Sequence, residues 1–326
     1  MDGYRGHFFA FFAAIVLVLA PSAAVSAGTV AVGSVQYGHG KNAIVWMGLE
    51  ITGEDISADL QSIGAHRNAL TGVSFERYLL GPEGIFETFS PISNVTDAIR
   101  SFGLQTFPMI VSVNLTNIEY LLMHPSSFIS SAVTKAFDAG YTGYNIDFEP
   151  TQNANNTVAL EYSSFLTKFA DALHEKGKQL TVDIATWNPF WNFSSLANTT
   201  VNVLYDMGTY SSPSYNFAAA LDYAVSIIPL QKLGIGLITT NVNNGQILSN
   251  SSVLTRFQYL ESYKAENVAV WDMPLSSYWW TYLSQFIGKK STPGGNNLWL
   301  PAAAAVATVL IVSALAVYTR SRKRKK

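Results

Sequence analysis

The chain has 326 residues, 48% of them hydrophobic and none of them cysteine, with a formal net charge of −2 at pH 7. So much apolar side chain supports a sizeable core and excludes a disordered chain. The lack of cysteine excludes disulfides, thiolate metal sites and a cysteine nucleophile.

Arg5 and His7 precede an apolar run from Phe8 to Ala20, and Val25-Ser26-Ala27 has the small-residue spacing of a signal-peptidase site. Residues 1–27 therefore read as a secretory signal, an uncleaved anchor being the alternative, and both carry the downstream domain across a membrane. From residue 28 to 290, short apolar runs alternate with longer amphipathic stretches. Strands are expected at Ala43–Met47, Thr71–Phe75, Phe107–Val113, Tyr144–Phe148, Leu180–Ala185, Val201–Tyr205, Leu233–Ile238 and Val268–Met273. Helices are expected at Ile118–Ala139, Ala159–Lys176, Asn216–Ile228 and Ser252–Ala265. The β-then-α rhythm repeats about eight times, which predicts an α/β fold of the (β/α)8 TIM-barrel type. An open doubly wound sheet is the rival, but Met47-Gly48-Leu49-Glu50 after the first strand is no Gly-rich phosphate turn.

In Gly143-Tyr144-Asn145-Ile146-Asp147-Phe148-Glu149-Pro150 polar and apolar residues alternate. A strand has a side-chain period of two, so Asn145, Asp147 and Glu149 share one face. In a barrel that face points inward, where carboxyls are costly unless they have a task or a partner. An edge strand with a solvated polar face is the alternative. Glu149 ends the strand, at the end where barrel enzymes keep their chemistry. Carboxyls two residues apart lie roughly 7 Å apart at the backbone, close enough to disturb each other's titration. An ionised Asp147, or a proton shared with it, would raise the pKa of Glu149 as a general acid requires.

Trp187, Phe190 and Trp191 follow the fifth strand and could line a substrate cleft or simply pack. Asp183, on that strand, faces the same side as Thr181 and Ala185 and is a further candidate. Trp279 and Trp280 would pack the last helix or touch a membrane surface. His7, His39, His66, His124 and His174 show no metal-ligand spacing, and neither H-E-x-x-H nor G-x-S-x-G occurs. No metal and no cofactor is expected.

Residues 291–297 form a flexible linker. Residues 298–318 are uncharged and long enough to cross about 30 Å of hydrocarbon as a transmembrane helix, with Trp299 and Tyr318 near its ends. The basic tail 319–326 stays cytoplasmic by charge, which predicts a single-pass type I protein of the cell membrane with its barrel outside. Residues 28–318 carry 13 Lys+Arg against 21 Asp+Glu, a net charge of −8 that argues against nucleic acid as a partner. Six Asn-x-Ser/Thr sequons, at Asn94, Asn114, Asn155, Asn192, Asn198 and Asn250, are candidate glycosylation sites.

The stretch from Gly143 to Glu149 resembles the fourth-strand signature D-G-x-D-x-D-x-E of glycoside hydrolase family 18, with Thr142 and Asn145 at its first two Asp positions. Its N-I-D-F-E form is similar to the branch of di-N-acetylchitobiase and the spore-cortex N-acetylglucosaminidases. Val203-Leu204-Tyr205-Asp206 is similar to the sixth-strand M-x-Y-D, and Trp271 falls where the eighth strand has its Trp. The resemblance implies a retaining, substrate-assisted hydrolase of β-1,4-linked N-acetylglucosamine polymers, in which the acetamido carbonyl of the substrate attacks the anomeric carbon. Glu149 would then be the acid and later the base, Asp147 would orient the acetamido group, and Tyr205 would bond its carbonyl. Asn145, Asp206, Trp271 and Trp187 would bind substrate.

Two departures stand out. Asn145 cannot take a proton from Asp147 as the commoner Asp does, and the third strand ends Ser112-Val113-Asn114-Leu115 where the family has S-x-G-G. A glycan on Asn114 would crowd the catalytic face. Two other functions fit the same residues: an endo-β-N-acetylglucosaminidase acting on N-glycan cores, and a non-catalytic, lectin-like barrel that binds N-acetylglucosamine polymers. Loss of Glu149 would mark the latter, and Glu149 is present.

Overall fold

The expected parallel strands form and close on themselves. The computed structural model describes residues 40–48, 53–84, 86–88, 94–211 and 214–288. The expected signal, linker, transmembrane helix and tail lie outside the described residues, among which no helix is long and apolar enough to cross a membrane.

The strands are β1 (Asn42–Met47), β2 (Gly72–Leu80), β3 (Phe86–Thr88), β4 (Gln105–Ser112), β5 (Gly143–Phe148), β6 (Gln179–Ile184), β7 (Val203–Asp206), β8 (Leu233–Ile238) and β9 (Asn267–Trp271). Their order is β1-β9-β8-β7-β6-β5-β4-β2-β3, and a further parallel pairing of β1 with β2 closes the barrel. β3 stands outside this ring as an antiparallel strand on the far end of β2. It was not expected from the sequence, and β2 itself runs five residues past its expected end at Phe75, through a register shift between Glu76 and Tyr78.

Helices α1 (Gly53–Ala65), α2 (Val95–Ser101), α3 (Leu115–Met123), α4 (Pro125–Asp138), α5 (Asn156–His174), α6 (Phe193–Ala197), α7 (Ser214–Ile227), α8 (Asn250–Ser262) and α9 (Ser277–Phe286) follow the strands. The single helix expected over 118–139 is two helices. Pro125 disfavours helical backbone at His124, which takes φ −130° and ψ 54°, and proline then opens α4 at its first position.

The alternation of β5 decides which residues meet the helices. Tyr144 lies against Phe169 of α5 at 6.0 Å and donates to the carbonyl of Ala132 in α4 at 2.9 Å. Phe148 packs on Tyr162 of α5 at 6.0 Å. Burying side chains of this size stabilises by about 1.5–3 kcal/mol each and holds the strand at one rotation. Asn145 and Asp147 are then turned into the barrel. Gly143 is required at the base of the strand, because a Cβ there would lie 1.9 Å from the carbonyl oxygen of Gln179.

Three of the sequons have a local structural purpose. The side chains of Asn114, Asn155 and Asn192 accept backbone N–H groups at the starts of α3, α5 and α6. Asparagine is favoured at such N-caps for this bond.

Candidate active site

β5 is the fourth strand of the barrel, and it delivers Asn145, Asp147 and Glu149 towards the C-terminal end of the ring. The ladder to β4 continues past the strand, with the Glu149 amide donating to Ser112 O at 2.8 Å, so Glu149 sits on ordered backbone. Asn188 pins the loop beyond it. Its Nδ2 donates to the carbonyls of Pro150 and Gln152 at 2.9 and 3.0 Å, while its Oδ1 accepts from Phe190 N at 2.9 Å. Asn188 was not anticipated from the sequence, although Asn188-Pro189 is a turn-forming pair.

Asn145 is fully buried. Its Oδ1 accepts from Thr181 Oγ1 at 2.6 Å and its Nδ2 donates to Asp183 Oδ2 at 2.5 Å, both partners lying on β6. Asp147 and Glu149 are hydrogen-bonded to each other. Burial lifts the Asp147 carboxyl well above the ordinary carboxylate range, and the charges of Glu149 and Glu76 add to this. Burial also pushes Glu149 up to about 7, followed by the charge of Asp183, while the hydrogen bond from Asp147 pulls it down. Asp183 on the neighbouring strand is a cause that the sequence did not show, and the titrations of Asp147 and Glu149 depend on each other.

Tyr205 of β7 points inward, level with Asp183 in the register. It is buried edge-on to Trp46 at 5.5 Å, and Gly234 on β8 leaves room for its ring, since a Cβ there would come within 2.2 Å of it. Burial and Asp183 raise the phenol strongly, so it remains a neutral donor. Asp206 is fully buried and caps the turn after β7, its Oδ1 accepting from Gly208 N at 2.8 Å. Burial pushes it up to about 7.

The aromatic candidates divide. Trp271 ends β9 half-buried beside Trp46 of β1 in the strand order. Trp187 is 41% exposed on the loop after β6, whereas Phe190 and Trp191 are buried, Phe190 stacked on Tyr162 at 4.2 Å. Trp279 and Trp280 are buried too, Trp280 stacked on His66 at 4.5 Å. Tyr210, in the turn after β7, was not anticipated; it is buried, and the charges of Asp183, Asp147, Glu149 and Asp272 raise its phenol further than burial does alone. Among the described residues no group of His, Asp and Glu is arranged to hold a metal ion.

Among the described residues, the buried polar atoms with no hydrogen-bond partner include Trp46 Nε1, Ser74 Oγ, Asp147 Oδ1, Asp183 Oδ1 and Asp206 Oδ2. Unpaired buried groups cost about 1–3 kcal/mol each, and the three carboxyls among these lie on the neighbouring strands β5, β6 and β7.

Sequence comparison matches the chain to no family model and to no curated protein. Its three-dimensional form is similar to solved structures. The spore cortex-lytic enzyme SleL of Bacillus megaterium superposes with a TM-score of 0.65 at 13% identity, over 77% of this chain and 75% of that one. A chitinase from Chromobacterium violaceum gives 0.64 at 13% identity, over 77% and 100%. A class V chitinase from Pseudomonas fluorescens gives 0.62 at 16% identity, over 74% and 98%. The barrel with Asn145, Asp147 and Glu149 on its fourth strand therefore has the fold of the family 18 chitinases.

Proposed function

We propose that this protein is a glycoside hydrolase that cleaves β-1,4-linked N-acetylglucosamine-containing glycans with retention of configuration, the acetamido group of the substrate acting as nucleophile. The observation that carries the reading is the Asp147–Glu149 pair at the C-terminal end of the fourth barrel strand, half-buried and with both carboxyls raised above the ordinary carboxylate range. Similarly folded proteins described as chitinases and as a spore cortex-lytic enzyme support the substrate class.

A carboxyl held near 7 is still protonated in mildly acid solution, so Glu149 can donate to the glycosidic oxygen as the bond to the anomeric carbon breaks. The attacking atom is the acetamido carbonyl oxygen of the same sugar, which gains from being intramolecular. Asp147, as its carboxylate, accepts the acetamido N–H and offsets the positive charge that develops on the ring formed. Tyr205, a neutral donor, bonds the acetamido carbonyl. Glu149, now ionised, takes a proton from the water that opens the cyclic intermediate. Trp271 floors the subsite, with Asn145 and Asp206 fixing its shape and Trp187 offering an exposed ring further out. On this reading the barrel works outside the cell, tethered through residues 298–318.

The test is incubation with chitooligosaccharides, peptidoglycan fragments and N-glycans, with products followed by mass spectrometry and anomeric configuration by NMR. Retained β-products are expected from N-acetylated substrates, and none where the cleavage subsite holds deacetylated glucosamine. Equal cleavage of the deacetylated sugar, or a covalent sugar trapped on either carboxylate, defeats substrate assistance. Absence of cleavage of all three substrate classes defeats the assignment.

A further inference from the structure

Strand β8 carries no inward side chain over its middle. Gly234 and Gly236 share the inward face of Leu233-Gly234-Ile235-Gly236-Leu237-Ile238, by the strand's period of two. Each glycine makes room for a tyrosine from the β7 segment. A Cβ on Gly234 would meet the Tyr205 ring at 2.2 Å, and one on Gly236 would lie 3.1 Å from Cε1 of Tyr210. Two residues along a strand advance about 7 Å, so Tyr210 stands one step nearer the C-terminal end of the barrel than Tyr205. The proposed reaction gives Tyr205 a task and gives Tyr210 none.

The turn that carries Tyr210 is fastened on both sides. Asp206 Oδ1 accepts from Gly208 N at 2.8 Å, and Thr209 Oγ1 is within hydrogen-bond reach of the carbonyls of Asp206 and Gly236. Beyond it, Arg256 of α8, 1% exposed and lying over the Phe217 ring at 5.4 Å, donates from Nη2 to the carbonyl of Ser211 at 3.2 Å. Held in this way, Tyr210 is 8% exposed, and its hydroxyl makes no hydrogen bond to another described residue. Burial holds the phenol well above its ordinary range, and the carboxyls of Asp183, Asp147, Glu149 and Asp272 add to this, so it keeps its proton and is a neutral donor. Asp147 and Glu149 belong to β5 and Asp272 directly follows Trp271 of β9, so Tyr210 stands within electrostatic reach of both sides of the proposed subsite. A buried donor without an acceptor costs stability until a ligand supplies one, and sugar oxygens are acceptors.

We propose that Tyr210 is a substrate-binding residue of the hydrolytic site: from the turn beyond β7, its hydroxyl donates to a hydroxyl oxygen of the sugar held between Trp271 and the Asp147–Glu149 pair. The inference rests on the hydrolase reading of this site and adds a second phenol to it. Height in the barrel separates the two. Tyr205, the deeper, meets the acetamido group, and Tyr210, nearer the opening, meets the sugar ring. Tyr210 transfers no proton; its hydrogen bond orients the sugar in the ground state and the transition state alike.

Tyr210→Phe removes the hydroxyl and leaves the ring over Gly236. In the full-length protein carrying Glu149→Gln, in which cleavage is slowed, adding Tyr210→Phe should weaken binding of a chitooligosaccharide about fivefold by calorimetry. With Glu149 restored, Tyr210→Phe should raise KM by a similar factor. The pH limbs of kcat and the melting temperature should stay where they are, because the hydroxyl has no bond within the protein to lose. Unaltered binding and KM in Tyr210→Phe overturn the proposal and leave the hydrolase reading standing. A displaced pH limb with unchanged binding also overturns it, since the hydroxyl would then act on the acids and not on the sugar. So does a lowered melting temperature, which would show that the hydroxyl is bonded within the protein. If the unaltered chain binds no chitooligosaccharide, the hydrolase reading fails and the proposal fails with it.

Discussion

The two ends of the barrel carry different polar residues and satisfy them to different degrees. At the N-terminal end every bond closes on the protein. Asn42 Nδ2 donates to Asn267 Oδ1 at 2.9 Å, and Asn267 Nδ2 reaches the carbonyls of Gln231 and Leu233 at 3.3 and 3.1 Å. Asn202 Oδ1 accepts from Leu180 N at 2.6 Å and lies 3.0 Å from His174 Nε2, while Lys232 bonds the carbonyls of Ala197 and Thr199. At the C-terminal end the residues are acids, and oxygens of Asp147, Asp183 and Asp206 lack partners. Satisfied polar groups stabilise a closed ring, whereas unsatisfied acidic ones cost stability and mark a candidate functional site. The lesson is that function here shows as a local deficit in hydrogen bonding, not as a richer network.

Three substitutions test this contrast, in decreasing order of expected effect. Glu149→Gln should reduce turnover by at least about 10²-fold, or about 2.7 kcal/mol of barrier, with the melting temperature unchanged. Near-normal activity in that variant would show that Glu149 is not the acid. At the other end, Asn267→Ala strands Asn42 Nδ2 and two backbone carbonyls. It should cost about 2 kcal/mol in denaturant unfolding while activity per folded molecule stays the same. A loss of activity without loss of stability would erase the division between the two ends.

The third concerns an acid outside the ring. Asp59 of α1 is 4% exposed, has one oxygen unpartnered, and is pushed up to about 7 by burial and then by Asp272 and Asp55. A carboxyl raised on folding binds its proton more tightly in the native state. Its contribution to stability is therefore complete below about pH 4 and is lost as pH rises through about 7. Asp59→Asn should match the unaltered protein near pH 4 and exceed it by about 1 kcal/mol above pH 7. The gain stays well below the full displacement because structure and water relax around buried charge. Melting curves from pH 4 to 8 measure it, and a pH-independent difference would show that Asp59 does not titrate in this range.

How much of this was legible in the sequence depended on the distance along the chain over which each feature is encoded. The alternation from Tyr144 to Glu149 put Asp147 and Glu149 on one inward face, because a strand's period of two is a local rule. The break at Pro125 was equally local and was overlooked inside an otherwise continuous helical pattern. The sequons at Asn114, Asn155 and Asn192 read as modification signals, and their capping bonds became visible only once helices began there. Trp187, Phe190 and Trp191 looked alike, yet the fold exposes the first and buries the other two.

By itself the sequence determined the number and rhythm of the barrel strands and the inward face of β5, through periodicities spanning a few residues. Only the tertiary structure decided that Asp183 would meet Asn145 across 38 residues, that Asn188 would clamp the loop behind Glu149, and that Tyr210 would approach the carboxyls. It also decided which carboxyls are raised above the ordinary range. Protonation depends on burial and on the summed field of groups from several strands, and those distances exist only after the ring has closed.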